Sequence, residues 1–238
     1  MKSVLRKRVT PHFFSVSGFI SGLVVLLIFT AEPAMKMHSS RSLLCLGDSY
    51  TIGESVPVAE NFPNQVVRSL RESGFGFQQP EILAKTGWTT DELQQAINQH
   101  RFQPSYDFVT LLIGVNNQYR GENVEHYKPQ FESLLEQAIQ FAKGDAAHVI
   151  VLSIPDWGTT PFAKDRNTAS IAREIDDYNK VNKEIAAAHK AHYIDITTGM
   201  RETANDLSLL ASDGLHPSAK EYARWSREIY EVIKREIE

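Results

Sequence analysis

The sequence contains one cysteine, Cys45, so a single chain can form neither an internal disulfide nor a thiolate metal cluster. Set within an apolar run, that residue is read as core packing. Phosphate-cradling glycines are missing too. No Gly-x-Gly-x-x-Gly occurs, and Gly47 is the only glycine of its loop until Gly53, which argues against a nucleotide- or flavin-binding domain. Nor is there an excess of positive charge. Lys and Arg number 25 against 29 Asp and Glu, giving a net charge of −4, and the only basic cluster lies at the extreme N-terminus. Nucleic acid is therefore not an expected partner. Internal repeats, low-complexity tracts and signs of a second domain are also lacking, and 42% hydrophobic residues suffice for one full core.

The first forty residues differ from the rest. Lys2, Arg6, Lys7 and Arg8 precede an apolar stretch from Phe13 to Thr30, the pattern of a signal peptide or uncleaved anchor. Ala31-Glu32-Pro33-Ala34 is a poor cleavage site because Glu32 stands where a small residue is wanted. The expectation is attachment to a membrane through residues 13–30, or secretion, with the folded part outside the cytoplasm. A translation start at Met35 or Met37 is the alternative and would leave the protein cytoplasmic. Residues 1–40 are thus read as leader and joint, and 41–238 as one globular domain.

Within that domain short apolar runs alternate with amphipathic segments. Ser42–Leu46, Glu81–Ala84, Phe108–Ile113, His148–Leu152 and Tyr193–Ile196 read as strands. Helical spacing marks 61–73, the segment after the capping box Thr89-Thr90-Asp91-Glu92, 124–143, 169–190 and 219–237. Five strands separated by helices imply a parallel sheet covered on both faces.

The chemistry sits at predicted strand ends. The first strand runs into Gly47-Asp48-Ser49, and Ser212-Asp213-Gly214-Leu215-His216 lies before the last helix. A serine, a base and an acid are the minimum for nucleophilic attack on an acyl group, because a serine hydroxyl reacts at neutral pH only when an imidazole removes its proton. Asn116, in Gly114-Val115-Asn116, follows the third strand and carries an amide able to donate to an oxyanion. Gly87, in Lys85-Thr86-Gly87-Trp88, follows the second strand and can present a free N–H. The elbow Gly-x-Ser-x-Gly is absent around Ser49, which counts against the α/β-hydrolase fold. Trp88, Tyr119 and Trp157 are candidates for the walls of a substrate pocket. Asp48 reads as a turn or helix cap. His189 and His192, with no third ligand in evidence, read as structural or solvated rather than metal-binding.

These residues together resemble the SGNH hydrolases, also called the GDSL esterase/lipase family. Its four marks correspond to Ser49 in Gly-Asp-Ser, Gly87 after the second strand, Asn116 in Gly-x-Asn and His216 in Asp-x-x-His. Two departures are visible: Tyr50 stands where leucine is usual, and Asn117 where many relatives have aspartate. The resemblance implies a flavodoxin-like three-layer α/β/α sandwich around a five-stranded parallel sheet. It further implies Ser49 as nucleophile, His216 as base, Asp213 as its orienting acid, and an oxyanion hole from the N–H groups of Ser49 and Gly87 and the amide of Asn116. No metal or organic cofactor is required. The expected reaction is hydrolysis of a small-molecule carboxylic ester with a short acyl group, acetyl on a carbohydrate being one case. A lysophospholipase or thioesterase, and a non-catalytic binding protein on the same fold, are the alternatives. The sequence does not indicate an oligomeric state.

Overall fold

The computed structural model describes residues 40–238, so the N-terminal apolar stretch and the methionines at 35 and 37 lie outside the described residues. The sheet has five parallel strands: β1 (Leu43–Asp48), β2 (Glu81–Lys85), β3 (Phe108–Leu112), β4 (Val149–Leu152) and β5 (His192–Ile194). Their spatial order is β2-β1-β3-β4-β5. This is the doubly wound, flavodoxin-like order, whose direction reverses between β1 and β3. Register pairs Gly47 with Leu112 across that reversal and Asp48 with Lys85 on the other side. β1, β3 and β4 are buried along their whole length, as continuous apolar runs covered on both faces must be. Cys45 is fully buried in β1, where desolvation pushes its thiol up to about 12 and leaves it unreactive.

The described residues form eight α-helices, in chain order α1 (Ser49–Ile52), α2 (Phe62–Glu72), α3 (Thr90–Gln99), α4 (Val115–Tyr119), α5 (Val124–Phe141), α6 (Thr168–His189), α7 (Thr197–Arg201) and α8 (Ala219–Ile237). α2 and α8 pack on one another, while α3, α5 and α6 form a second contiguous set. This arrangement is what right-handed crossovers demand of this strand order. Local chemistry sets the helix starts. Asn61 accepts from the Asn64 N–H at 3.1 Å to cap α2, and at α3 Glu92 Oε2 accepts from the Thr89 N–H at 2.9 Å to close the capping box.

β5 ends two residues earlier than the apolar pattern predicts. Asp195 Oδ1 accepts from the N–H groups of Thr197 and Thr198 at 2.9 and 3.1 Å and so starts α7. His189 and His192 point to different acids, Glu132 and Glu236, each at 3.0 Å. Among the described residues no helix is long and apolar enough to cross a membrane.

Candidate active site

The candidate site begins at the junction of β1 and α1. β1 leads directly into α1, so Ser49 becomes the first residue of a helix. Asp48 caps it, its Oδ1 accepting from the Tyr50 N–H at 3.0 Å. The Tyr222 hydroxyl of α8 donates to the Tyr50 carbonyl at 3.0 Å and ties this turn to the last helix. Ser49 is thereby held at the carboxyl edge of β1, beside the point where strand order reverses.

Asp213 and His216 come from the loop before α8. His216 Nδ1 lies 2.7 Å from Asp213 Oδ2, and Asp213 Oδ1 accepts from the N–H groups of Leu215 and His216 at 2.9 and 3.0 Å. Burial by itself would raise the Asp213 carboxyl. Hydrogen bonds from the His216 ring, the Ser55 hydroxyl and the two amides outweigh it and hold the group down at about 2. The acid is therefore ionised at neutral pH. The His216 ring packs tilted against Tyr50, with centroids 4.8 Å apart, so the unexpected Tyr50 forms one wall for the imidazole.

Asn116 lies on α4, directly after β3. Its Nδ2 donates to the Trp88 carbonyl at 3.0 Å, while Asp48 Oδ2, at 3.5 Å, is at the limit of hydrogen bonding. One amide N–H is thus fixed by a carbonyl, and the other has only the long contact to Asp48. Gly114, which begins this helix, has φ +125°, and a Cβ there would lie 2.6 Å from the Tyr127 hydroxyl. The close approach that requires glycine comes from the core. Asp48 is fully buried, and desolvation raises its carboxyl to about 7. In its protonated form it adds no negative charge next to the Asn116 amide.

Gly87 lies in a turn closed by the Trp88 N–H on the Lys85 carbonyl at 3.2 Å. Its φ of +84° is one that glycine adopts readily and other residues rarely do. The turn is held from both sides. Arg120 Nη2 donates to the Gly87 carbonyl at 2.6 Å and to Glu92 Oε2 at 3.1 Å, and Thr86 Oγ1 bonds Glu54.

A cavity of about 170 Å³ joins these pieces. Ser49, Gly87, Asn116 and His216 line it, together with Tyr50, Thr86, Val115, Tyr119, Trp157, Phe162 and Leu215. Tyr119, Trp157 and Phe162 form an aromatic cluster with centroids 5.2 to 6.2 Å apart. Trp157 is buried and anchored by its Nε1 on Gln118 Oε1 at 2.7 Å, whereas Tyr119 and Phe162 are 45% and 46% exposed at the rim. Trp88 is not among the lining residues. Its ring packs on the core and its carbonyl orients Asn116.

The family profile described as "GDSL-like Lipase/Acylhydrolase family" matches residues 45–224. The chain belongs to this family. As a GDSL-family protein it is a carboxylic ester hydrolase. Solved structures agree on the fold. Axe2, an acetylxylan esterase from Geobacillus stearothermophilus, superimposes with a TM-score of 0.64 at 21% identity, covering 84% of this chain and 96% of that one. A lipase/acylhydrolase from Enterococcus faecalis gives 0.62 at 24% identity over 82% and 96%. TesA gives 0.64 at 17% identity over 82% and 99%. Comparison with curated protein sequences returns no match.

Three features of this GDSL site were not legible in the sequence. Phe162 sits in a short 3₁₀ turn, Pro161–Ala163, next to the turn Trp157–Thr159 that Asp156 caps, its carboxylate accepting from the Gly158 N–H and from Arg201. Ser55 reaches Asp213 across 158 positions. Arg120 reaches back to the turn of Gly87. Each is a contact between loops, for which sequence periodicity carries no signal.

Proposed function

We propose that the chain is a serine esterase that cleaves a short-acyl carboxylic ester through an acyl-Ser49 intermediate. The observation that carries this reading is the ionised Asp213 bonded to His216 on a cavity that Ser49, Gly87 and Asn116 also line. With its Nδ1 proton donated to Asp213, His216 has Nε2 free to accept the Ser49 proton as Oγ bonds to the acyl carbon. The N–H groups of Ser49 and Gly87 and the Asn116 N–H that otherwise makes only the long contact to Asp48 take up the oxyanion charge. On collapse His216 returns the proton to the leaving alcohol. Water then enters by the same route, and the acyl group leaves as a carboxylic acid.

The cavity, of about 170 Å³, accommodates a short acyl group. Exposed Tyr119 and Phe162 offer an apolar surface for the alcohol part, which suits a sugar ring such as the acetylated carbohydrate on which Axe2 acts. The same rim supports a second reading, a lysophospholipase or thioesterase whose longer acyl chain lies along those rings. The basic-then-apolar N-terminal pattern supports action outside the cytoplasm.

Hydrolysis of p-nitrophenyl acetate, butyrate and octanoate, with Ser49→Ala in parallel, tests both readings. Turnover is expected to vanish in the variant and to fall with acyl length in the parent. Rates rising towards octanoate favour the long-chain reading. Ser49-independent turnover removes the mechanism.

A further inference from the structure

We propose that Ser55 is a positioning residue for the Asp213–His216 pair, its hydroxyl fixing the carboxylate oxygen that receives the imidazole. The Ser55 Oγ donates to Asp213 Oδ2 at 2.7 Å, and His216 Nδ1 lies 2.7 Å from that same oxygen. The other oxygen, Oδ1, is taken by the amides of Leu215 and His216. Those two bonds come from two and three residues further along the same loop, so they shape the loop without fixing it to the rest of the site. Ser55 belongs to the loop that follows Ser49 and α1. Its hydroxyl joins the acid's loop to the nucleophile's loop.

The backbone of Ser55 supports the same assignment. Its φ is +65°, in the left-handed region where glycine is the easy choice and a serine is uncommon. A residue held in such a conformation is a reason to look for function. The polar group that serine has and glycine lacks is the hydroxyl, and that hydroxyl is on Asp213. The preceding residue, Glu54, reaches the other way to Thr86 in the turn of Gly87. Consecutive residues of one loop therefore brace the acid and the oxyanion turn on opposite sides of the cavity.

This proposal rests on Ser49, Asp213 and His216 acting as described above. The test compares Ser55→Gly and Ser55→Ala with the parent on p-nitrophenyl acetate. Each variant removes the hydroxyl, but glycine relaxes the left-handed backbone and alanine does not. A loosened acid is expected to lower kcat roughly 10-fold in both variants, the scale of a small misplacement of a catalytic group. KM should stay within about twofold, since no substrate contact is removed. The melting temperature of Ser55→Gly should not fall. The second-order rate of labelling by a fluorophosphonate should drop in parallel, which provides the comparison without a substrate. Parental kcat and labelling rate in Ser55→Gly overturn the proposal, as does a loss confined to Ser55→Ala or carried by KM. Ser49→Ala, measured alongside, separates the two levels. Turnover that survives in it removes the triad itself, whereas turnover lost there but intact in Ser55→Gly removes Ser55 alone.

Discussion

Asp213 shows how a single residue acquires a role from its hydrogen bonds. Its carboxyl accepts from two amides, one hydroxyl and one imidazole, and these stabilise the charged form against burial. Asp213→Asn keeps an acceptor for the Leu215 and His216 amides but presents an N–H or a weaker acceptor to His216. The loop should therefore keep its shape while the imidazole loses its orienting charge. The expected result is a fall in kcat of about 10²–10⁴-fold, the usual range for general acid–base assistance, with KM changed little. Steady-state kinetics on p-nitrophenyl acetate, with circular dichroism to confirm the fold, checks it. An unchanged kcat removes Asp213 from the mechanism. Its Asp-x-x-His spacing was visible in the sequence because acid and base share one loop. The Ser55 contact was not, because nothing in a serine 158 positions away marks it as a partner.

Elements contribute geometry that no one residue supplies. The proposed oxyanion side of the cavity is assembled from the turn after β2 and the helix after β3, which are not neighbours in the sheet because β1 lies between them. Arg120, at the end of α4, joins them by donating to the Gly87 carbonyl and to Glu92 of the α3 capping box. Arg120→Ala should leave stability within about 1 kcal/mol, since its pair with Glu92 is solvent-exposed. It should lower kcat about 3- to 10-fold, a fraction of the 10²–10³ associated with losing a whole oxyanion donor. Thermal melting and kinetics on the same sample decide it, and an unchanged kcat shows that the turn holds its shape unaided. The five strands and five long helices were legible from apolar runs, helical spacing and caps, with ends displaced by one or two residues. α4 and α7, of five residues each, were not, because about one turn is too short to show a period. The same holds for the 3₁₀ turns that carry Trp157 and Phe162. Tyr119 and Trp157 were found as cavity residues because each follows a buried strand within a few residues. Trp88 follows the half-buried β2, and the turn at Gly87 directs its ring to the core.

At the scale of the molecule, the site and the stability of the fold meet at Asp48. It is fully buried with its Oδ1 on the Tyr50 N–H, and burial raises its carboxyl from 3.8 to about 7. Below pH 3.8 both folded and unfolded chains hold this proton, so Asp48 adds no pH dependence. Between pH 4 and 7 the unfolded chain releases the proton while the folded chain keeps it, and folding loses free energy as the pH rises. Asp213 acts in a separate window. Its depressed carboxyl makes folding less favourable as pH falls from 3.8 towards 2. The two effects can therefore be told apart on one pH axis. Asp48→Asn keeps an oxygen to cap α1 but cannot ionise. Relative to the parent, its unfolding free energy should improve progressively from pH 4 to pH 7, by on the order of a few kcal/mol, and level off above 7. Urea melts of both proteins at intervals of one pH unit measure the difference directly. A difference that stays flat over that range would mean that Asp48 is ionised in the folded protein. The oxyanion would then form beside a fixed negative charge, and the Asn116 amide would have Asp48 as a competing acceptor.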